Sequence, residues 1–273
     1  MRDIPDYQLI SKNFARELSA ASNGQESSLP FIKNPLPESP LIKPDNIFQA
    51  FVIGGTHGQV ATVMAGEDRK FTILEEKKFT PLPRFATTDD FLAFIESNLD
   101  SQTQAIGINF AYNLIPVVGE NGELDGIMNQ GDTKGHAFGG LQQKKVGGTI
   151  RDHIKEKLGR DVVVTVANDT VCLITSGLEE DTDRTTLIAA IAGTGYNIAI
   201  FSDPNTVVNL QASDFTGFTQ TATGKVVDAE SKNPGEQIYN KEVAAGDLYK
   251  HYNVLIPQLS LQTPPLESRS CQH

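Results

Sequence analysis

The segment DVVVTVANDTVCLITSG, residues 161–177, limits what this chain can fold into more than any other stretch. A short, continuous β-branched run of this kind reads as a strand buried on both faces, as in the interior of a parallel sheet. Asn168-Asp169-Thr170 follows it, and these are side chains that cap helices. The pattern predicts a buried strand over 161–167 that hands a carboxylate to the start of a helix over 169–178. Parallel strands need crossover connections, so the chain is expected to be α/β with mixed sheets.

The rest of the pattern agrees with that class. Leu9, Ile10, Phe14, Leu18 and Ala21 recur at helical spacing, which predicts a helix over 7–22, ended by Asn23-Gly24. Five prolines between Gln25 and Pro44 predict an extended connection without regular structure. FQAFVIG (48–54), QVATVMA (59–65) and KFTILEEKKF (70–79) predict a three-stranded meander, followed by a helix over 91–99 behind Thr88-Asp89-Asp90 and a strand over 105–112. Beyond a Gly- and polar-rich crossing at 119–139, a helix is expected over 141–158. Strands are expected over 185–193, 196–202 and 207–211, and a last helix over 234–252.

Charge and cysteine content exclude several functions. Lys+Arg 23 against Asp+Glu 34 leaves a net charge of −11, a field that repels phosphate backbones and anionic lipid, so neither nucleic acid nor membrane is an expected partner. Two cysteines, Cys172 and Cys271, are too few for a disulfide scaffold and favour a reducing compartment. The charged N-terminal stretch does not read as a signal peptide, and a cytoplasmic location is expected. His57, His136 and His153 are too scattered for a metal site, and Cys172 reads as a small buried hydrophobe.

Two hairpin patterns repeat at an offset of 138 residues. IGGTHGQVATV (53–63) and IAGTGYNIAIF (191–201) share Ile, Gly, Thr and Ala in register. Glycines at such turns let backbone N–H groups face an anion, so the pair could cradle a polyphosphate; taken singly, each is also ordinary tight-turn chemistry. Neither a Walker A loop nor a G-x-G-x-x-G fingerprint is present. Asp169 at a sheet edge can act as general base towards a hydroxyl, with Asn168 fixing the same substrate, although Asn and Asp are also common helix caps. In Gly131-Asp132-Thr133-Lys134-Gly135, the Thr hydroxyl and Lys ammonium could hold a sugar hydroxyl or neutralise a transferring phosphoryl group; lysines in such loops are also commonly solvated.

GGT (54–56), TKG (133–135), VANDTV (166–171), AGTGYN (192–197) and NPGEQIYNK (233–241) occur in the order of the hexokinase/glucokinase family, and LPFIKNPLP (29–37) resembles its segment before the first hairpin. The resemblance covers roughly 28–253 and implies a two-lobed actin-like ATPase (ribonuclease H-like) fold. It implies an N-terminal helix and linker over 1–44, a small-lobe-like domain over 45–168 and a partial large-lobe-like domain over 169–273. The implied activity is ATP-dependent phosphorylation of a hexose at its primary hydroxyl, as in glycolysis. By the same resemblance Asp169 is the catalytic base and Lys134 assists it. Thr133, Asn168, Asn197, Gln211 and Asn240 meet the sugar, while Gly54, Gly55, Thr56, Gly193, Thr194 and Gly195 hold ATP, with Mg²⁺ arriving only with the nucleotide.

Several positions depart from the family. Val52 stands where the family carries an Asp that helps to place Mg²⁺, and His57-Gly58-Gln59 replaces the Asn and Arg that follow its Gly-Gly-Thr. Gln211 and Asn240 replace two sugar-binding glutamates, and Ala111-Tyr112-Asn113 replaces Ser-Phe-Pro. The family also continues past the helix matching 234–252 with an adenosine-binding segment, so the resemblance implies a truncated product, a partner chain or self-association that completes the nucleotide site, or poor ATP binding. The alternative is a non-catalytic sugar-binding or regulatory relative, or a truncated inactive fragment.

Overall fold

The computed structural model describes residues 6–67, 70–129, 135–178 and 182–258. In chain order its elements are α1 (Tyr7–Ser22), β1 (Ile32–Pro35), β2 (Ile47–Ile53), β3 (Gly58–Ala65), β4 (Phe71–Phe79), α2 (Thr88–Ser97), β5 (Ala105–Phe110), β6 (Leu114–Val118), β7 (Leu124–Met128), α3 (Val146–Leu158), β8 (Val163–Ala167), α4 (Asp169–Ser176), β9 (Ile188–Ala192), β10 (Tyr196–Asp203), β11 (Thr206–Asn209), α5 (Ala222–Ala229), α6 (Ile238–Val243) and α7 (Ala245–Gln258). They fall into two units. One draws on 33–182 and 203–207, the other on 1–32, 183–202 and 208–273.

The first unit is organised by a five-stranded mixed sheet in the order β4-β3-β2-β5-β8. β2, β3 and β4 form an antiparallel meander, while β5 runs parallel to β2 and β8 parallel to β5. The predicted buried strand is therefore an outer parallel strand of this sheet, overlain beyond its edge by the β6–β7 hairpin through Thr165 Oγ1 donating to Leu124 O at 2.8 Å. One sheet face carries Phe51, Ile53, Ile106, Ile108, Phe110, Val164 and Val166, packed against Phe91 and Ile95 of α2 and Ile150 and Ile154 of α3. Each large apolar side chain fully buried here contributes about 1.5–3 kcal/mol. α2 starts with a reciprocal capping box between Thr87 and Asp90. α3 has no cap from Lys145; instead the buried Asp125 carboxylate accepts from Gly147 N at 2.8 Å and Gly148 N at 2.9 Å.

In the second unit, β9 and β10 pair antiparallel. Phe215 is fully buried and meets Phe14 of α1 and Tyr239 of α6 edge-on, at ring separations of 5.2 and 5.2 Å. α1 is otherwise superficial, with no buried residue, and is tied down where Glu17 accepts hydrogen bonds from Ser27 and Ser28.

Five expectations change. The helix expected over 141–158 begins at Val146, behind turns at 141–143, and the strand expected over 185–193 begins at Ile188, after a 3-10 turn at Arg184–Thr186. The crossing at 119–139 contains half of a hairpin, β6–β7, turned at Glu120–Gly122; Asn121-Gly122 is its local signal. The proline-rich connection includes the short strand β1, whose end is tied by Leu36 N donating to Asn205 O at 2.7 Å. The single helix expected over 234–252 is two, because Ala244 is extended at φ −73°, ψ 137°, and α6 begins only after the Asn233-Pro234-Gly235 turn.

Candidate functional site

In the first unit the parallel strands β2, β5 and β8 end together: Ile53 pairs with Phe110, and Asn109 with Ala167. Ligands of open α/β sheets bind at such carboxyl ends. The Gly54–His57 turn leaves β2 here, and Asn168-Asp169 leaves β8. Tyr112, just past β5, joins them: its hydroxyl donates to Gly54 O at 2.9 Å, and Asn168 Nδ2 donates to Tyr112 O at 3.5 Å. Gly54, Gly55, Thr56, Asn168 and Asp169 are thus brought to one sheet edge.

Asn168 and Asp169 are not equivalent. Asn168 is the N-cap of α4, its Oδ1 accepting from Thr170 N at 3.1 Å and Thr170 Oγ1 at 2.6 Å. Asp169 Oδ1 accepts from the same Thr170 N at 2.9 Å, and its Oδ2 has no hydrogen-bond partner among the described residues. A half-buried carboxylate with one oxygen fixed and the other uncommitted has the chemistry of an acceptor for a hydroxyl proton. Cys172, one turn further along, is no nucleophile. Burial first, then the Asp169 charge, pushes its thiol up to about 12.

The turn after β2 is closed by Gly54 N donating to His57 O at 3.1 Å, and a Cβ on Gly54 would stand 2.7 Å from that oxygen. His136, 2% exposed, reaches the turn from 81 residues away, its Nε2 lying 3.0 Å from Gly55 O. Its Nδ1 accepts from Phe85 N at 3.1 Å, so Nε2 carries the proton and donates to Gly55. Rings of Phe85, Tyr112 and Phe138 surround it. This histidine was not singled out as a site residue from sequence, and no local pattern marks it.

In the second unit the turn at Gly193–Gly195 is one residue shorter. Gly193 N donates to Gly195 O at 2.9 Å, and Ala192, the counterpart of Gly54, is the last strand residue. Asn240 Oδ1 accepts from Tyr196 N at 2.8 Å, and Gly246 N donates to Gly193 O at 3.2 Å, so α6 and the start of α7 hold this turn. Asn197 Oδ1 accepts from Ile198 N and Ala212 N, and its Nδ2 donates to Asn209. Gln211 sits in the left-handed region at φ 40°, a conformation that costs a non-glycine residue of order 1–3 kcal/mol and recurs at ligand sites. Thr133 and Lys134 lie outside the described residues.

The donor set fits a nucleotide that brings its own metal. Among the described residues no group of three His, Cys, Asp or Glu side chains could cage an ion. Mg²⁺ ordinarily needs only one or two protein oxygens beside substrate phosphates. Asp169 would supply one such oxygen. The buried Asn109 Oδ1, in register beside Val52 and Ala167, has no partner among the described residues.

No protein-family model matches the chain. It is 28% identical over 231 residues to the chloroplastic Hexokinase-2 of Nicotiana tabacum, across 72% of this chain and 45% of that protein. It is 25% identical over 270 residues to Hexokinase-2 of Candida albicans, across 86% and 54%. The chain spans about half the length of these curated relatives. The structure of the Schistosoma mansoni hexokinase complexed with glucose superposes at TM-score 0.64, with 20% identity, over 96% of this chain and 64% of that one. A second hexokinase crystal structure gives 0.67 and 17%, over 92% and 62%. The fold is therefore α/β with mixed sheets, the actin-like fold shared with these hexokinase structures. In sequence the chain is a distant relative of hexokinases, at 28% and 25% identity to the two named above. No helix among the described residues is long and apolar enough to cross a membrane.

Proposed function

We propose that the chain transfers the γ-phosphoryl group of ATP to the primary hydroxyl of a hexose, with Asp169 as general base. The observation that carries this is the convergence of the Gly54–Thr56 turn and the uncommitted Asp169 oxygen on one sheet edge. ATP with Mg²⁺ supplies the phosphoryl donor and neutralises its charge. Asp169 Oδ2 takes the proton as the sugar oxygen bonds to phosphorus and the bond to the ADP oxygen breaks, giving sugar phosphate, ADP and one proton. Asn168 keeps α4, and with it Asp169, in place. The Gly54–Thr56 and Gly193–Gly195 turns hold phosphate oxygens, and Thr133, Lys134, Asn197, Gln211 and Asn240 serve the sugar and the transferring group. A cytoplasmic location and a partner chain or second copy at the nucleotide site belong to the same proposal.

A specific observation favours the second reading, a sugar-binding relative without catalysis. Val52 stands where the resemblance expects a carboxylate that helps to place Mg²⁺, and its strand partner in β5 is the neutral Asn109. Hexose-dependent ADP release by the purified chain, compared with Asp169→Asn, decides between them. The kinase reading predicts turnover that falls by about 10²–10⁴-fold in the variant while hexose affinity is kept. Folded wild-type protein that binds hexose and releases no ADP establishes the second reading.

A further inference from the structure

Three successive carbonyls of the turn after β2 are each held by a donor from the unit's interior. Gly54 O accepts from the Tyr112 hydroxyl at 2.9 Å, Gly55 O from His136 Nε2 at 3.0 Å, and Thr56 O from Leu82 N at 2.8 Å. In a trans peptide the C=O and the following N–H point in opposite directions. Anchoring the Gly54 and Gly55 carbonyls inward therefore turns the Gly55 and Thr56 N–H groups outward. Neither N–H donates to a partner among the described residues, and Thr56 is exposed. Consecutive N–H groups facing one way form an anion-binding concavity.

Both anchors are suited to a fixed task. Tyr112 and His136 are 3% and 2% exposed, and their rings pack against Phe138 at 5.1 and 5.6 Å. Burial keeps the Tyr112 phenol well above its usual range, so its proton stays available as a donor. The Phe85 N–H fixes the His136 tautomer, which leaves Nε2 to donate.

We propose that Tyr112 and His136 are positioning residues that aim the Gly55 and Thr56 N–H groups at a phosphate oxygen of a polyphosphate ligand. This rests on the phosphoryl-transfer reading for its biological ligand, but its test uses inorganic tripolyphosphate. Titration calorimetry of the full chain is run with tripolyphosphate and, separately, with hexose. Tyr112→Phe deletes one oxygen from the packed ring, His136→Phe deletes both imidazole contacts, and His136→Gln restores a donor towards Gly55.

Each Phe variant is expected to weaken tripolyphosphate binding about five- to tenfold. Hexose affinity stays within about twofold, and His136→Gln recovers most of the loss. Tripolyphosphate affinity unchanged in both Phe variants overturns the proposal, as does parallel loss of both ligands. Wild-type protein that binds no tripolyphosphate overturns it together with the phosphate role of the turn. Wild-type protein that binds tripolyphosphate with the expected variant pattern, yet makes no sugar phosphate, leaves this proposal standing and removes the kinase reading alone.

Discussion

The placement of Asp169 at the start of α4 was legible because its signals are local: a β-branched run, two capping side chains, then a helix, all within a dozen residues. His136 was not, because its contacts lie 51 and 81 residues away and exist only once β2, α2 and the loop before α3 have packed. Its buried position has a pH consequence. Burial lowers its pKa first, the hydrogen bond to Gly55 opposes that, and the Arg84 charge adds to the lowering, with Tyr112 the other titratable ring beside it. The unfolded chain takes up this proton near the ordinary histidine value of about 6.5, whereas the folded chain takes it up at lower pH. Between those values the unfolded state holds more protons, so this contribution is complete above about 6.5 and is lost as pH falls through the folded value. Thermal melts from about pH 7 to about pH 5 should therefore fall less steeply for His136→Phe than for wild type; an identical slope contradicts the assignment. Lys134, read from sequence alone, carries a simpler expectation: Lys134→Ala lowers turnover strongly in the hexose-dependent ADP assay.

At the scale of elements, long periodic segments were readable and tertiary interruptions were not. α1 and the β2–β4 meander lie within one residue of the spans read from sequence. The break at Ala244 has no proline or glycine at the break itself. It arises where Asn240 holds Tyr196 N and Gly246 fits against Thr194, where a Cβ would stand 2.7 Å from the Thr194 carbonyl oxygen. The two hairpins share sequence but not turn length, since only a glycine at position 54 tolerates the close His57 carbonyl and Ala192 cannot take that place. The α3 cap is equally non-local. Asp125→Ala removes acceptors from Gly147 N and Gly148 N and should cost about 1–3 kcal/mol, measured by urea denaturation. Thr87→Ala at the α2 capping box, an ordinary local cap, should cost about 1 kcal/mol in the same measurement.

At the scale of the whole molecule, the order of motifs pointed to hexokinases before any geometry did, and the curated relatives and the fold agree with that resemblance. The position of side chains around those motifs was less legible. The second unit, for example, rests on Lys241, whose Nζ donates to Asp228 Oδ1 at 2.5 Å and Asn233 O at 2.7 Å. Lys241 holds the Asp228 carboxyl below its usual range, so this contribution is present above about pH 3.8 and is lost as pH falls through the folded value. Lys241→Met should shrink the acid-sensitive part of the melting curve below about pH 4.

Phosphoryl transfer at the carboxyl ends of β2, β5 and β8 is tested by phosphorus NMR of the wild-type chain with Mg-ATP and a hexose. The expected result is a new phosphomonoester resonance split into a triplet by the two protons of a primary carbon, absent with Asp169→Asn. Inorganic phosphate alone, or an ester formed equally well by the variant, contradicts it.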